Sequence, residues 1–167
     1  MFKSKRAEFE ALVRGYSAEL YRYAYWLTRD RFVAEDLIQE TFTRAWSAWV
    51  HVRDPRAAKK WLYTIVRNEH ARLYERKRLE IVDNVDLDTL QDERLRAVSM
   101  EFELREALRA LPDAYREPLL LQIVGGFSCE EIAQIMNVTP GAAMTRLSRA
   151  RLALRRQAQP ERRQESA

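Results

Sequence analysis

The sequence predicts an all-α protein made of two small helical domains that are joined by a linker. Only four glycines and five prolines occur in 167 residues, which is few chain-breaking residues for a fold with many tight turns. Hydrophobic residues make up 47% of the chain and recur at three- and four-residue spacing, as in helices that bury one face. We expect domains over residues 1–78 and 101–157, an acidic linker over 79–100 and a polar tail over 158–167.

Three helices are predicted in the first domain. Apolar stripes place the first over residues 5–28 and the second over residues 31–49. The third begins at Asp54-Pro55 and continues to Arg78, because aspartate caps free amides and proline suits the first helical position. These helices are long enough to close one core.

Helical periodicity breaks over residues 79–100, which hold six acidic and two basic side chains. This composition predicts a linker that is extended or partly ordered. The periodicity resumes at Phe102, and Pro112 then opens a helix that Gly125-Gly126 terminate.

The last third of the chain carries the signals of a helix-turn-helix. Ser128, with Glu131 three residues later, forms a capping box, which opens a short helix ending at Met136. After a tight turn, Thr139-Pro140 starts a final helix to about residue 157. We expect this last helix to be the recognition helix of the motif.

Two basic stretches favour a nucleic-acid partner. Residues 53–78 carry nine basic and three acidic side chains, and residues 141–156 carry five basic and no acidic ones. One basic run is usually a solvated surface, whereas two runs inside separate predicted helices indicate two binding surfaces.

The final helix is predicted to enter the major groove, with its first residues at base edges and its arginines at guanine edges or phosphates. The alternative is a plain helical hairpin with a solvated basic face. The candidate DNA-binding residues are Gly141, Ala142, Thr145, Arg146 and Arg149.

The third helix interleaves cations with aromatic rings, a combination that suits a single strand whose phosphates meet cations while its bases stack. The alternative is that Trp61 and Tyr63 are core residues. The candidate DNA-binding residues are Arg53, Arg56, Lys60, Trp61, Tyr63, Arg67 and Asn68.

One polar face of the second helix would repel DNA. Ordinary solvated surface is the favoured interpretation from these residues alone, but the many aromatic residues nearby also allow a protein interface. The face consists of Asp36, Gln39, Glu40 and Thr43.

No catalytic motif is found, so we expect neither an enzyme nor a cofactor. Cys129 is the single cysteine and His51 and His70 the only histidines, which excludes an intramolecular disulfide and disfavours zinc. Residues 1–6 lack the apolar core of a secretory signal, and no apolar run approaches the ~20 residues of a membrane span. A cytoplasmic protein without membrane insertion is expected.

From Phe9 to Arg156 the chain resembles the bacterial sigma-70 family, specifically its extracytoplasmic-function (ECF) group. Residues 34–42 with Ala45-Trp46 resemble region 2.2, which docks on the clamp helices of the polymerase β′ subunit. That resemblance reverses the interpretation of the polar face. Residues 61–63 and 65–68 resemble the segment that melts and reads the minus-ten element. Residues 111–112, 115–117 and 127–133 resemble region 4, and residues 146–147 and 149–151 resemble its minus-thirty-five recognition helix.

The resemblance implies a sigma factor without chemistry of its own, which binds core RNA polymerase through the β′ clamp helices and β flap, promoter DNA, and an anti-sigma factor. It also implies that residues 50–56 hold a flipped base. Two departures stand out. Ala142-Ala143-Met144-Thr145 replaces the usual Thr-Val-Lys-Ser, which suggests a divergent minus-thirty-five preference, and Thr64 replaces a frequent arginine.

Two other functions compete with this one. A dimeric helix-turn-helix regulator of duplex operators explains residues 128–156 but leaves the first hundred residues unexplained. A sigma-like decoy or adaptor explains the whole chain but lacks promoter activity.

Overall fold

The computed structural model describes residues 2–80 and 99–157, with side chains for residues 3–76 and 104–157. Over these ranges the chain forms seven α-helices and one 3-10 turn and contains no strand. It divides into two compact units, residues 1–87 (the N-terminal unit) and 88–167 (the C-terminal unit). The predicted all-α class with two helical domains is confirmed.

Three α-helices and a 3-10 turn build the N-terminal unit. Their bounds are α1 Phe2–Thr28, α2 Arg31–Trp49, the 3-10 turn Pro55–Ala57 and α3 Ala58–Glu80. The predicted bounds of α2 are confirmed, whereas α1 starts three residues earlier than predicted. The third helix is preceded by a 3-10 turn, and the Asp54 carboxylate caps this turn by accepting the Arg56 backbone N–H at 3.0 Å.

The core of the N-terminal unit lies where the three helices meet. Its most deeply buried side chains are at most 1% exposed, and the three largest of these are aromatic. Aromatic side chains bury large areas, which lets a small unit exclude enough apolar surface from water. The core includes Leu20, Tyr23, Leu37, Trp49, Leu62, Tyr63 and Val66.

Four helices build the C-terminal unit. Their bounds are α4 Ser99–Ala110, α5 Asp113–Ile123, α6 Cys129–Met136 and α7 Pro140–Gln157. As predicted, α5 follows Pro112, and Gly126 terminates this segment with a φ of 68°, a left-handed conformation that glycine adopts without strain. Of the predicted linker, residues 79–80 and 99–100 are helical; residues 81–98 and the tail 158–167 lie outside the described residues.

The turn between α6 and α7 is fixed by caps on both helices. Ser128 Oγ accepts the Glu131 N–H at 3.2 Å and Glu131 Oε1 accepts the Ser128 N–H at 3.1 Å, so the predicted capping box is confirmed. Asn137 closes α6 in the left-handed conformation, with a φ of 54°. Thr139 Oγ1 then accepts the Ala142 N–H at 3.1 Å at the start of α7. These caps set the direction in which α7 leaves the turn.

Candidate nucleic-acid interfaces and docking face

Helix α7 has one buried and one exposed side. Ala143, Leu147 and Ala150 are at most 3% exposed, and Leu154 is half-buried. Because this apolar stripe packs on α5 and α6, the opposite side of α7 faces solvent.

The exposed side of α7 carries all five predicted DNA-binding residues. Gly141, Thr145 and Arg149 are exposed, and Ala142 and Arg146 are half-buried. Two of these residues, Arg146 and Arg149, are cationic, and α7 contains no acidic residue, so this side has a positive potential that suits phosphates and guanine edges. We call it the recognition face: Gly141, Ala142, Thr145, Arg146 and Arg149.

Most predicted strand-binding residues of the N-terminal unit are accessible. Arg53, Arg56 and Asn68 are exposed, whereas Lys60 and Arg67 are half-buried. Arg56 is held near the backbone by an ion pair with Asp54 at 3.2 Å, yet 92% of its side chain remains exposed. With Trp61, these residues form what we call the strand-binding face: Arg53, Arg56, Lys60, Trp61, Arg67 and Asn68.

The placement of Tyr63 on that face is wrong. Its side chain is completely buried, and its ring lies 5.0 Å from the ring of Tyr23 on α1. Burial, together with the negative charge of Glu19, raises the pKa of the Tyr63 phenol above its ordinary value. Since each helical residue advances by about 100°, Tyr63 follows Leu62 round to the side of α3 that α1 covers. Tyr63 is therefore a core residue.

Trp61 is half-buried and lies against Trp49 of α2. The ring centroids are 6.4 Å apart and the planes are inclined by 27°, a stacked arrangement. Trp49 is fixed in turn, because its Nε1 donates to the Lys5 carbonyl oxygen at 3.0 Å. The orientation of Trp61 thus depends on the buried Trp49 ring, a contact that the sequence analysis did not predict.

Lys5 also supports the segment between α2 and α3. Its Nζ donates to the Val52 carbonyl oxygen at 3.2 Å and lies 5.6 Å from the centre of the Trp49 ring. These contacts join residues 44 to 47 positions apart in sequence, so no local pattern predicted them. Lys5 holds the start of the loop that carries Arg53.

All four residues of the predicted protein-binding face of α2 are exposed. The Glu40 carboxylate accepts from Arg44 Nε at 2.8 Å, and Arg44 also pairs with Glu69 of α3. A cleft of about 260 Å³ beside this face is lined by Asp36 and Glu40 from α2 and by arginines from α3. We call the exposed set the docking face: Asp36, Gln39, Glu40 and Thr43.

Two absences hold for the described residues, 2–80 and 99–157. Within these ranges no helix is long and apolar enough to cross a bilayer. The same ranges contain no group of three or more histidine, cysteine or acidic side chains arranged to hold a metal ion.

Comparison with protein families assigns both units. The family described as sigma-70 region 2 matches residues 12–80, and the family described as sigma-70, region 4 matches residues 101–154. The first match includes the docking and strand-binding faces, and the second includes the recognition face.

Full-length relatives agree with these matches. The chain is 32% identical over 145 residues to the ECF RNA polymerase sigma factor SigM of Bacillus subtilis, covering 84% of this chain and 88% of SigM. It is 36% identical over 121 residues to the ECF RNA polymerase sigma factor EcfG of Rhodopseudomonas palustris, covering 71% and 67% of the two chains.

A solved structure supports the same assignment. The sigma factor RpoE from Bartonella quintana, crystallised with the anti-sigma factor NepR, is similar with a TM-score of 0.75 and 26% identity, over 92% of this chain and 98% of RpoE. The chain belongs to the sigma-70 family of RNA polymerase sigma factors, within its ECF group. The resemblance noted in the sequence is confirmed.

Proposed function

We propose that this sigma factor directs core RNA polymerase to promoters by binding each promoter at two places, with paired bases at one and unpaired bases at the other. The observation that carries the proposal is the presence of two cationic helical faces on two separate units. Each face lies within the part of the chain that matches one sigma-70 region.

The recognition face is assigned to the duplex minus-thirty-five element. Gly141 and Ala142 are small, so the start of α7 can approach the base edges closely, and Arg149 is exposed for a guanine edge or a phosphate. Arg151 is directed elsewhere, because its guanidinium donates to Gln122 of α5. This bond orients α7 on the rest of its unit.

The strand-binding face is assigned to the unpaired minus-ten strand. Lys60 and Arg67 lie seven residues apart on one side of α3, and Trp61 and Asn68 lie seven apart on the adjacent side. The first pair suits phosphates and the second suits bases, through stacking and hydrogen bonds. Since unpaired DNA binds here better than duplex does, binding shifts the promoter towards its melted state.

The segment between α2 and α3 is assigned to a flipped base. Arg53 and Arg56 are exposed there, next to the exposed Val50. A charged segment with an apolar side chain provides the two contacts that an unstacked nucleotide needs, one for phosphate and one for base.

The docking face is assigned to the β′ clamp helices of core polymerase, and the C-terminal unit to the β flap. The docking face is exposed and acidic, so it does not compete for DNA. An anti-sigma factor is a further proposed partner, because the similar RpoE was crystallised with one. In this role the protein is a cytoplasmic, non-enzymatic subunit.

Runoff transcription with purified core polymerase on a library of genomic promoters tests the proposal. We expect promoter-dependent transcripts only when the protein is added. A protein that binds core polymerase but yields no transcript would be a sigma-like decoy. A protein that binds duplex DNA as a dimer and ignores polymerase would be an ordinary regulator, a function that leaves the match of residues 12–80 unexplained.

A further inference from the structure

Met144 is an apolar side chain presented to solvent on the exposed side of α7. It is 60% exposed, although methionine ordinarily belongs in a core. Gly141, Thr145 and Ser148 lie three, one and four residues away and are also exposed. Because helical residues three or four apart share a face, Met144 stands at the centre of an exposed stripe in the first half of α7.

This stripe is uncharged. From Pro140 to Thr145 the helix carries no ionisable side chain, and its first arginine is the half-buried Arg146. The leading end of α7 therefore lacks the cations that bind phosphate and presents methyl, thioether and hydroxyl groups instead. The thioether and methyl groups have no donor for a phosphate oxygen, so contact with a base edge is the interaction that they can make.

Thymine is the base that an apolar side chain in the major groove distinguishes best. It presents a C5-methyl group there, while guanine, cytosine and adenine present hydrogen-bonding groups that a thioether satisfies poorly. Methionine is unbranched and polarizable, so it adapts to the shape of a methyl group. Contact with thymine also removes from water an apolar surface that the free protein leaves exposed.

We infer that Met144 is a specificity-determining residue, which recognises the C5-methyl group of a thymine in the minus-thirty-five element. This inference rests on the proposed function of the recognition face. It adds a base preference: the element bound by this factor has a thymine in major-groove contact with the first half of α7. The contact involves no hydrogen bond, so losing the methyl group alone abolishes it.

Deoxyuridine provides the test, because it differs from thymidine only in lacking that methyl group. Holoenzyme is assembled from core polymerase and the full chain and bound to a promoter taken from the runoff library. Each thymine of the minus-thirty-five element is then replaced in turn by deoxyuridine. Wild-type holoenzyme is expected to lose about fourfold in affinity at one position, the factor that corresponds to burying one methyl group.

The Met144→Ala variant, tested on both promoters, shows whether the lost affinity depends on Met144. It is expected to bind the thymine promoter about as weakly as wild type binds the deoxyuridine promoter, and to be insensitive to the replacement. Leu152→Ala is the matched control, because Leu152 is also an exposed apolar residue of α7, 45% exposed, but lies two turns further on. Holoenzyme with this variant is expected to keep the full response to deoxyuridine.

Two results would overturn the inference. One is a wild-type affinity that no deoxyuridine replacement lowers. The other is a Met144→Ala holoenzyme whose affinity falls as much as that of wild type when thymidine is replaced by deoxyuridine. That result would assign the methyl contact to a neighbour such as Thr145. Failure of the proposed function is seen separately and earlier, as a wild-type protein that yields no promoter-dependent transcript.

Discussion

The Glu69 carboxylate of α3 lies 2.7 Å from Arg44 Nε of α2. Glu69 is buried, with 9% of its side chain exposed, and it also pairs with Arg72 at 3.3 Å. Arg44 reaches Glu40 of the docking face with the same nitrogen, at 2.8 Å. One buried acid therefore ties the helix that carries the docking face to the helix that carries the strand-binding face.

Glu69→Ala is expected to destabilise the N-terminal unit by roughly 1–3 kcal/mol, because it leaves Arg44 without its interhelical partner. The expected loss in free energy of unfolding is modest because Arg44 is 44% exposed, so water replaces part of the interaction. Urea unfolding followed by tryptophan fluorescence measures it cleanly, because all four tryptophans lie within residues 1–87. Glu75→Ala, an exposed acid of the same helix, is the control, and an equal loss in both variants would contradict a special role for Glu69.

Arg116 is the buried charged residue that is expected to stabilise the C-terminal unit, as Glu69 stabilises the N-terminal unit. It is 4% exposed, forms an ion pair with Asp113, and donates to the carbonyl oxygens of Arg109 and Leu111 at 3.3 and 3.4 Å. Arg109 lies in the last turn of α4 and Leu111 directly follows the helix, so Arg116 satisfies carbonyl oxygens that the end of the helix leaves unpaired.

Arg116→Ala is expected to destabilise the C-terminal unit by about 2–4 kcal/mol, because buried carbonyls lose their donor. Amide hydrogen exchange measures this effect unit by unit. Faster exchange is expected in α4 to α7 and not in the N-terminal unit, while the exposed control Arg155→Ala leaves the rates unchanged. Unchanged exchange in Arg116→Ala would show that water replaces the guanidinium without cost.

Features that depend on residues close together in sequence could be predicted from the sequence. The bounds of α2 and the capping box of Ser128 depend on neighbouring residues alone, and both were predicted correctly. The burial of Tyr63 depends on where α1 packs, so helical spacing placed it on the wrong side. The contacts of Lys5 with Trp49 and Val52 join residues 44 and 47 positions apart, and no pattern within one helix indicates them.

Substitution of Trp61 is expected to weaken binding to single-stranded DNA, whereas substitution of Tyr63 is expected to leave it unchanged. Trp61→Ala removes a half-buried ring of the strand-binding face and should weaken holoenzyme binding to a single-stranded minus-ten element by roughly 1–3 kcal/mol, the range for one base stacked on an aromatic ring. Tyr63→Phe changes only a buried phenol and should leave that affinity unchanged. Fluorescence anisotropy with a labelled oligonucleotide measures both. Equal binding by wild type and Trp61→Ala would remove Trp61 from the face.

Arg149→Ala is expected to weaken duplex promoter binding by about 1–3 kcal/mol if the guanidinium contacts a guanine edge, and to relax the preference at one base pair. Arg155→Ala, in the last turn of α7, should at most lower affinity equally for all sequences, because a phosphate contact carries no base preference. Binding of a promoter set with single base-pair changes separates the two. A preference that survives in Arg149→Ala would assign base recognition to other residues of the recognition face.

Glu40→Lys tests the docking face. The substitution reverses one charge of the face and sets a lysine beside Arg44, so we expect weaker binding to core polymerase with the fold intact. Glu10→Lys is a close control, because both glutamates pair with an arginine four residues away at 2.8 Å and are 49% and 50% exposed. Since both variants replace an exposed glutamate by lysine and so change the net charge equally, a difference in their affinity for core polymerase reports the position of the substitution rather than the charge of the chain. Gel filtration with core enzyme measures the assembly of each variant, and circular dichroism checks that both are folded. Equal assembly of both variants would place the polymerase contact outside the docking face.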